Sequence, residues 1–213
     1  MDLRKQLAKF GSVPFTHGAV VPLLGDYLSP NDKVAALAAD GTLLRLKKGF
    51  YVLGPDYRSA PVSLPLVANL LYGPSCVSLE YALAWHGLIP EAVYQLTSVT
   101  SRRSKHFDTA LGRFSYLHVP EVVFGIGMRS EQNSDGTHFL IAGPEKALCD
   151  KVLLTRGLHK ASLQRMRDFL FDDLRLEPDT LREFDQDILR QYLASPVKAA
   201  LLATLCRVVE ECK

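Results

Sequence analysis

Ser29–Leu53 reads SPNDKVAALAADGTLLRLKKGFYVL, and this stretch decides the fold. Ser29 is a good helix N-cap, with Pro30 at the first helical position. Val34, Leu37 and Ala38 follow at spacings of three and four, so one helix face is apolar. Asp40-Gly41 is a turn signal that stops the helix. Leu43-Leu44-Arg45-Leu46 and Phe50-Tyr51-Val52-Leu53 are strand-like, joined by Lys47-Lys48-Gly49. A helix followed by a basic-tipped hairpin is the working half of a winged helix-turn-helix, in which the helix enters the major groove and the hairpin touches the adjacent backbone.

Working back to the N-terminus, Asp2–Phe10 predicts a short first helix, with Leu3, Leu7 and Phe10 on one face and Gly11 ending it. Thr16 caps a second helix to about Leu24, kinked or shortened by Pro22. Three helices and a wing are thus complete by about residue 54. In the third helix, burying Val34, Leu37 and Ala38 turns Asp32, Ala35, Ala36 and Ala39 outward at about 100° per residue. Alanines carry no hydrogen-bond code for bases, and Asp32 and Asp40 repel phosphates. DNA affinity would therefore lean on Arg45, Lys47, Lys48 and a second surface elsewhere.

Working forward, residues 54–61 read as a linker of turn formers. Ser63–Leu71 predicts an apolar helix, Gly73-Pro74-Ser75 a break, and Ser78 the cap of a further helix ending near Gly87. From Ala92 the period changes to two. Residues 92–142 predict a small, mostly antiparallel sheet, with 112–119 and 137–142 as strands and the glycines and polar run of 125–136 as turns. Pro144 opens a helix over 144–154. Three more helices are expected at about 162–172, 179–193 and 196–211, with Pro178 and Pro196 at helix starts. The fold class is α+β: a winged helix-turn-helix over residues 1–57, then a mixed domain over 58–213 with a helical tail from about 160.

The net charge of +2 over 213 residues demands no nucleic acid, but its distribution is uneven. Residues 1–58 carry eight Lys/Arg against five Asp/Glu, whereas residues 156–213 carry ten of each. Arg102, Arg103, Lys105 and His106 form a second basic cluster beside the hydroxyls of Ser98, Thr100, Ser101 and Ser104. Fixed positive charge beside neutral donors is suitable chemistry for phosphates.

Catalytic chemistry has little support. Cys76, Cys149, Cys206 and Cys212 form no CxxC pair, and the six histidines form neither HxH nor HExxH. No metal site, cofactor fingerprint or catalytic residue is expected. Asp135, Glu145 and Lys146 could make a nuclease-like acid–lysine set, but the plainer reading makes Glu145 a helix-start charge and Lys146 a solvated side chain. No leader and no membrane-length apolar run is seen, so a cytoplasmic protein with plain buried thiols is expected.

Four stretches in order carry a family resemblance: DGTLLRLKKGFYVLGP (40–55), GPSCVSLEYALAWHGLIPE (73–91), VYQLTSVTSRRSKHFDTALGRFSYLHV (93–119) and AGPEKALCDKVLL (142–154). With them the chain resembles the AbiEi family of antitoxins from type IV toxin–antitoxin systems, and also the wider group of predicted transcriptional regulators of viral defence systems. The acidic, alanine-rich third helix and Cys76, where tyrosine is more usual, depart from the family pattern. The resemblance implies a winged helix that binds double-stranded DNA in its own promoter and represses it. It also implies a second domain that neutralises a nucleotidyltransferase-like toxin without a stable complex. By position, the DNA-binding role falls on Asn31, Lys33, Arg45, Lys47 and Lys48, with Arg102, Arg103 and Lys105 as a second surface. The alternatives are a protein-interaction module that binds no DNA, and a nuclease-like enzyme.

Overall fold

Leu3–Leu7 forms helix α1, and Ala8–Phe10 tightens into a 3-10 turn closed by Gly11 at φ +56°. The structure, a computed structural model, describes residues 3–159 and 162–213. The expected helix start at Asp2 and tail start at residue 160 lie outside the described residues. Strand β1 is Phe15–Thr16, followed by helix α2 at His17–Val20. Pro22 has no N–H to continue α2, so Val21–Leu24 turns as a 3-10 helix. Helix α3 spans Pro30–Ala39; at its start Ser29 contributes its backbone carbonyl, which accepts from the Lys33 N–H, rather than its hydroxyl. Strands β2 (Leu43–Lys47) and β3 (Phe50–Leu53) form the expected hairpin, and β1 pairs with the other edge of β3.

Strand β3 is buried along its whole length. Tyr51 and Leu53 join Leu7, Val20, Leu24, Val34 and Leu37 in an N-terminal core. Phe50 and Val52, on the opposite face, join the large core formed by the rest of the chain, together with Leu46 of β2. Alternation of side chains across a strand makes this two-sided role possible. A bulge between Arg45 and Lys47 then puts Lys47 opposite Phe50, on the side of the large core.

The large core is built on a six-stranded sheet. It uses β4 (Cys76–Val77), β5 (Leu96–Thr100), β6 (Lys105–Thr109), β7 (Gly112–His118), β8 (Met128–Gln132) and β9 (His138–Ala142). The order is β6-β7-β5-β4-β9-β8. Three of its five pairings are antiparallel, as expected, and the sheet reaches beyond 92–142 to take in β4. The sheet is mixed, with β5 parallel to β7 and β4 parallel to β9. Its central strand β4 lies in what reads as a helix break, because two residues are too short for any periodicity. Strand β8 lies within a run of polar and glycine residues that reads as turns. Helix α4 (Leu64–Leu71), capped by the Ser63 hydroxyl, packs on β4, β5 and β9; helix α5 (Leu79–Trp85) packs on β5.

A short helix α6 (Glu121–Phe124) precedes β8, and helix α7 (Pro144–Leu154) follows β9. The tail holds α8 (Leu163–Arg167), which widens into a π-helical turn at Asp168–Asp173. It continues with α9 (Pro178–Leu181), α10 (Gln186–Gln191) and α11 (Ala199–Glu211). The expected middle helix is thus split in two, with the Asp185 carboxylate capping α10. Pro196 lies before α11 rather than at its start, and Lys198 at φ +54° precedes the first helical residue.

Helix α7 also departs from the sequence reading, since Lys146 is not solvated but fully buried, as are Asp150 and Tyr192. Lys146 Nζ lies 3.3 Å from Asp150 Oδ2 and donates to the Tyr192 hydroxyl at 2.9 Å. That hydroxyl donates to Asp150 Oδ1 at 2.8 Å, and Ser78 Oγ donates to Asp150 Oδ2 at 2.7 Å. Removing one partner from such a pair leaves an uncompensated buried charge. Lys146→Met is therefore expected to cost about 3–5 kcal/mol, read from the shift in urea midpoint, because Asp150 loses its counter-charge.

Candidate nucleic-acid interface

The hairpin tip is pinned on both sides. Gly49, at φ +73°, offers its carbonyl to the His17 N–H at 2.8 Å. Lys47 Nζ donates to the Leu71 carbonyl at the end of α4. The same ammonium lies 5.3 Å from the Phe50 ring centroid and 6.0 Å from that of Phe107 on β6. Burial, and then the neighbouring Lys105 ammonium, lower the Lys47 pKa below the usual lysine value. Lys47 is thus half-buried and already engaged, unlike its exposed neighbour Lys48.

Docking the hairpin beside β6 joins the two basic clusters that the sequence leaves 54 residues apart, counted from Lys48 to Arg102. Lys105 Nζ lies 4.8 Å from the Phe107 centroid and 5.7 Å from that of Tyr72. Tyr72, Phe107 and Tyr116 pack as a cluster with centroids 5.2–6.1 Å apart. The Tyr72 hydroxyl donates to the Arg103 carbonyl at 3.1 Å, so the same aromatic cluster anchors the loop that carries Arg102 and Arg103. Lys47, Lys105 and the Arg102–Arg103 loop therefore share one aromatic floor.

Lys48, Arg45, Arg102, Arg103 and Lys105 are exposed. Among the described residues, none of the five has a carboxylate within ion-pair distance. The tail differs: Arg165, Arg167, Arg175, Arg182 and Arg190 each pair with an Asp or Glu. Much of the basic charge of the tail is thus paired, whereas the exposed cations of the hairpin and the β5–β6 loop are not.

The α3 residues contribute less. Asn31 is exposed in the first turn. Lys33 is half-buried, with Nζ 5.3 Å from the Tyr27 ring centroid. Hydrogen bonds from Thr42, helped by the nearby Lys33 charge, hold the Asp40 carboxyl below its usual range. The outward face of α3 carries Asp32, Ala35, Ala36 and Ala39.

The nuclease-like set does not assemble. Asp135 Oδ1 accepts from Thr137 within its own turn. Glu145 is buried, accepting from the Asp185 N–H at 3.0 Å and facing Arg129 at 3.4 Å, while Lys146 is committed to Asp150 and Tyr192. No group of three or more metal-ligating side chains occurs among the described residues.

Next to Arg103 lies an open cleft of about 700 Å³, lined by Tyr72, Ser101, Arg102, Arg103, Ser104 and His118. Sequence reasoning misses Tyr72, Phe107 and His118. The alternation in KHFDT could have placed Phe107 on an inward face, but nothing local connects Tyr72 or His118 to the arginines.

No protein-family model matches the chain, and no curated protein is similar to it. Among solved structures, it is similar to the crystal structure of the RV2827C protein from Mycobacterium tuberculosis. The TM-score is 0.60 at 14% sequence identity, over 99% of this chain and 78% of that one. At that identity the likeness carries the fold alone.

The two hairpin lysines should separate cleanly on substitution. Lys47→Ala strips a donor from the Leu71 carbonyl and a packed aliphatic stem from Phe50. It is expected to lower stability by about 1–2 kcal/mol. Lys48 is exposed and makes no side-chain hydrogen bond or ion pair among the described residues, so Lys48→Ala leaves the melting temperature unchanged, which paired thermal melts would check.

Proposed function

We propose that this chain is a DNA-binding repressor of its own promoter that also serves as the antitoxin of a type IV toxin–antitoxin system. In this reading residues 3–57 act as a winged helix, and the chain performs no catalysis of its own. The observation that carries the proposal is a set of exposed cations, Arg45, Lys48, Arg102, Arg103 and Lys105, that have no carboxylate partner among the described residues, with Lys105 and the Arg102–Arg103 loop held on the aromatic floor beside the hairpin. Exposed cations that are not neutralised are what a phosphate backbone selects, and they supply affinity that carries no sequence information. The motif resemblance in residues 40–154 supplies the rest: a promoter operator, and a nucleotidyltransferase-like toxin countered without a stable complex.

Most of the affinity comes from phosphates in this reading. The outward face of α3 offers Asn31 as a hydrogen-bonding reader and alanines that can approach thymine methyl groups. The same face favours a second reading, in which the N-terminal unit packs on a protein partner and binds no DNA. Asp32 and three alanines make a poor face for the major groove but a plausible packing face.

The test is binding of the purified protein to a labelled duplex from upstream of its own gene, against an unrelated duplex, at two salt concentrations. Salt-sensitive binding that prefers the upstream duplex is expected. Each lost phosphate contact lowers the log–log salt slope by about 0.9, so Lys48→Ala with Arg103→Ala should lower it by about one to two units. No binding at low salt would replace this proposal with the protein-interaction reading.

A further inference from the structure

The cleft beside the Arg102–Arg103 loop has a chemistry of its own. Among the described residues no acidic side chain lines it. The two carbonyls of the loop that could repel an anion are already taken. The Arg102 carbonyl lies 3.0 Å from His118 Nδ1, and the Arg103 carbonyl accepts from the Tyr72 hydroxyl. Because a carbonyl can only accept, that contact assigns an imidazole proton to Nδ1 and fixes the ring against the loop. The loop is held further by the Thr100 hydroxyl, which accepts from the Arg102 N–H at 3.1 Å. Ser104 Oγ accepts from the His118 N–H at 2.9 Å. The Ser101 hydroxyl makes no hydrogen bond to the described residues.

We propose that this cleft binds a phosphate monoester, either that of a free nucleotide or that of the 5′ end of a nucleic-acid strand. Two guanidinium groups without carboxylate partners match a dianion carrying three terminal oxygens better than the single charge of a backbone diester. The volume of about 700 Å³ leaves room for the attached nucleoside. Preformed hydrogen bonds around the loop mean that little ordering is needed when the anion arrives. The proposal does not require duplex binding, since Lys48 and Arg45 lie outside the cleft.

The experiment titrates the full-length protein, in phosphate-free buffer, with one short single strand carrying either a 5′-phosphate or a 5′-hydroxyl, and separately with 5′-AMP. The 5′-phosphorylated strand is expected to bind about tenfold more tightly than its hydroxyl twin. Arg102→Ala with Arg103→Ala should abolish that preference, and Lys48→Ala should keep it. Both arginines are exposed side chains on a loop held by its backbone, and circular dichroism checks that the double variant folds. Binding of 5′-AMP identifies a free nucleotide as the source; a 5′-phosphate preference without 5′-AMP binding identifies the strand end. Equal affinity for the two strands with no 5′-AMP binding overturns the proposal, as does a preference that survives the double arginine substitution. Loss of preference for the upstream duplex, by contrast, would count against promoter binding and leave the cleft assignment standing.

Discussion

Burial of strand β3 on both faces is the constraint on which the arrangement of this protein depends. Tyr51 and Leu53 close the N-terminal core, while Phe50 and Val52 enter the core of the six-stranded sheet. Each such side chain contributes about 1.5–3 kcal/mol when fully buried. The hairpin therefore cannot swing away from the sheet without exposing Phe50, Val52 and Leu46 to water. A hairpin free at its tip would act as a mobile probe; this one is a fixed ridge between two cores.

That fixed ridge sets the electrostatics of the surface. The bulge before Lys47 re-aims one basic side chain into the junction, where it satisfies the Leu71 carbonyl and lies against aromatic rings. One cation is thereby committed to structure. In return Lys105 and the Arg102–Arg103 loop sit on the same aromatic floor as the hairpin. Tyr72 links the elements most directly: its ring packs on Phe107 and Tyr116, and its hydroxyl holds the loop backbone. Packing, rather than net charge, is what makes a basic surface in a chain whose formal charge is only +2.

Helix α7 teaches the opposite lesson about charge. Its PEKALCDK run reads as an amphipathic surface helix, yet Glu145, Lys146 and Asp150 are all buried. Lys146 and Asp150 are four residues apart, one helical turn, which brings them together on one side of the helix. Tyr192, reaching in from the tail, and Ser78, from the start of α5, satisfy what remains of their hydrogen bonds. The pair therefore ties two distant segments to one helix and leaves none of its charge for a site at the surface.

Local physics made much of this legible. Proline and glycine punctuation, helical spacing in Val34, Leu37 and Ala38, and the Lys47-Lys48-Gly49 turn were enough for α3, β2 and β3. The same patterns located α4, α5, β7, β9 and α7, and they marked Arg45, Lys48, Arg102, Arg103 and Lys105 as cations of interest. Tertiary structure alone decided the rest, because it depends on contacts between residues far apart in the chain. Strand β4 is a strand only because β5 and β9 flank it, and Lys146 is buried only because Tyr192 and Asp150 receive it. Lys47 leaves the surface because Leu71 and Phe107 lie beneath it, and the cleft exists because His118 and Tyr72 close around Arg102 and Arg103. A sequence pattern reports which face of an element is apolar, and only the packed chain determines what that face meets.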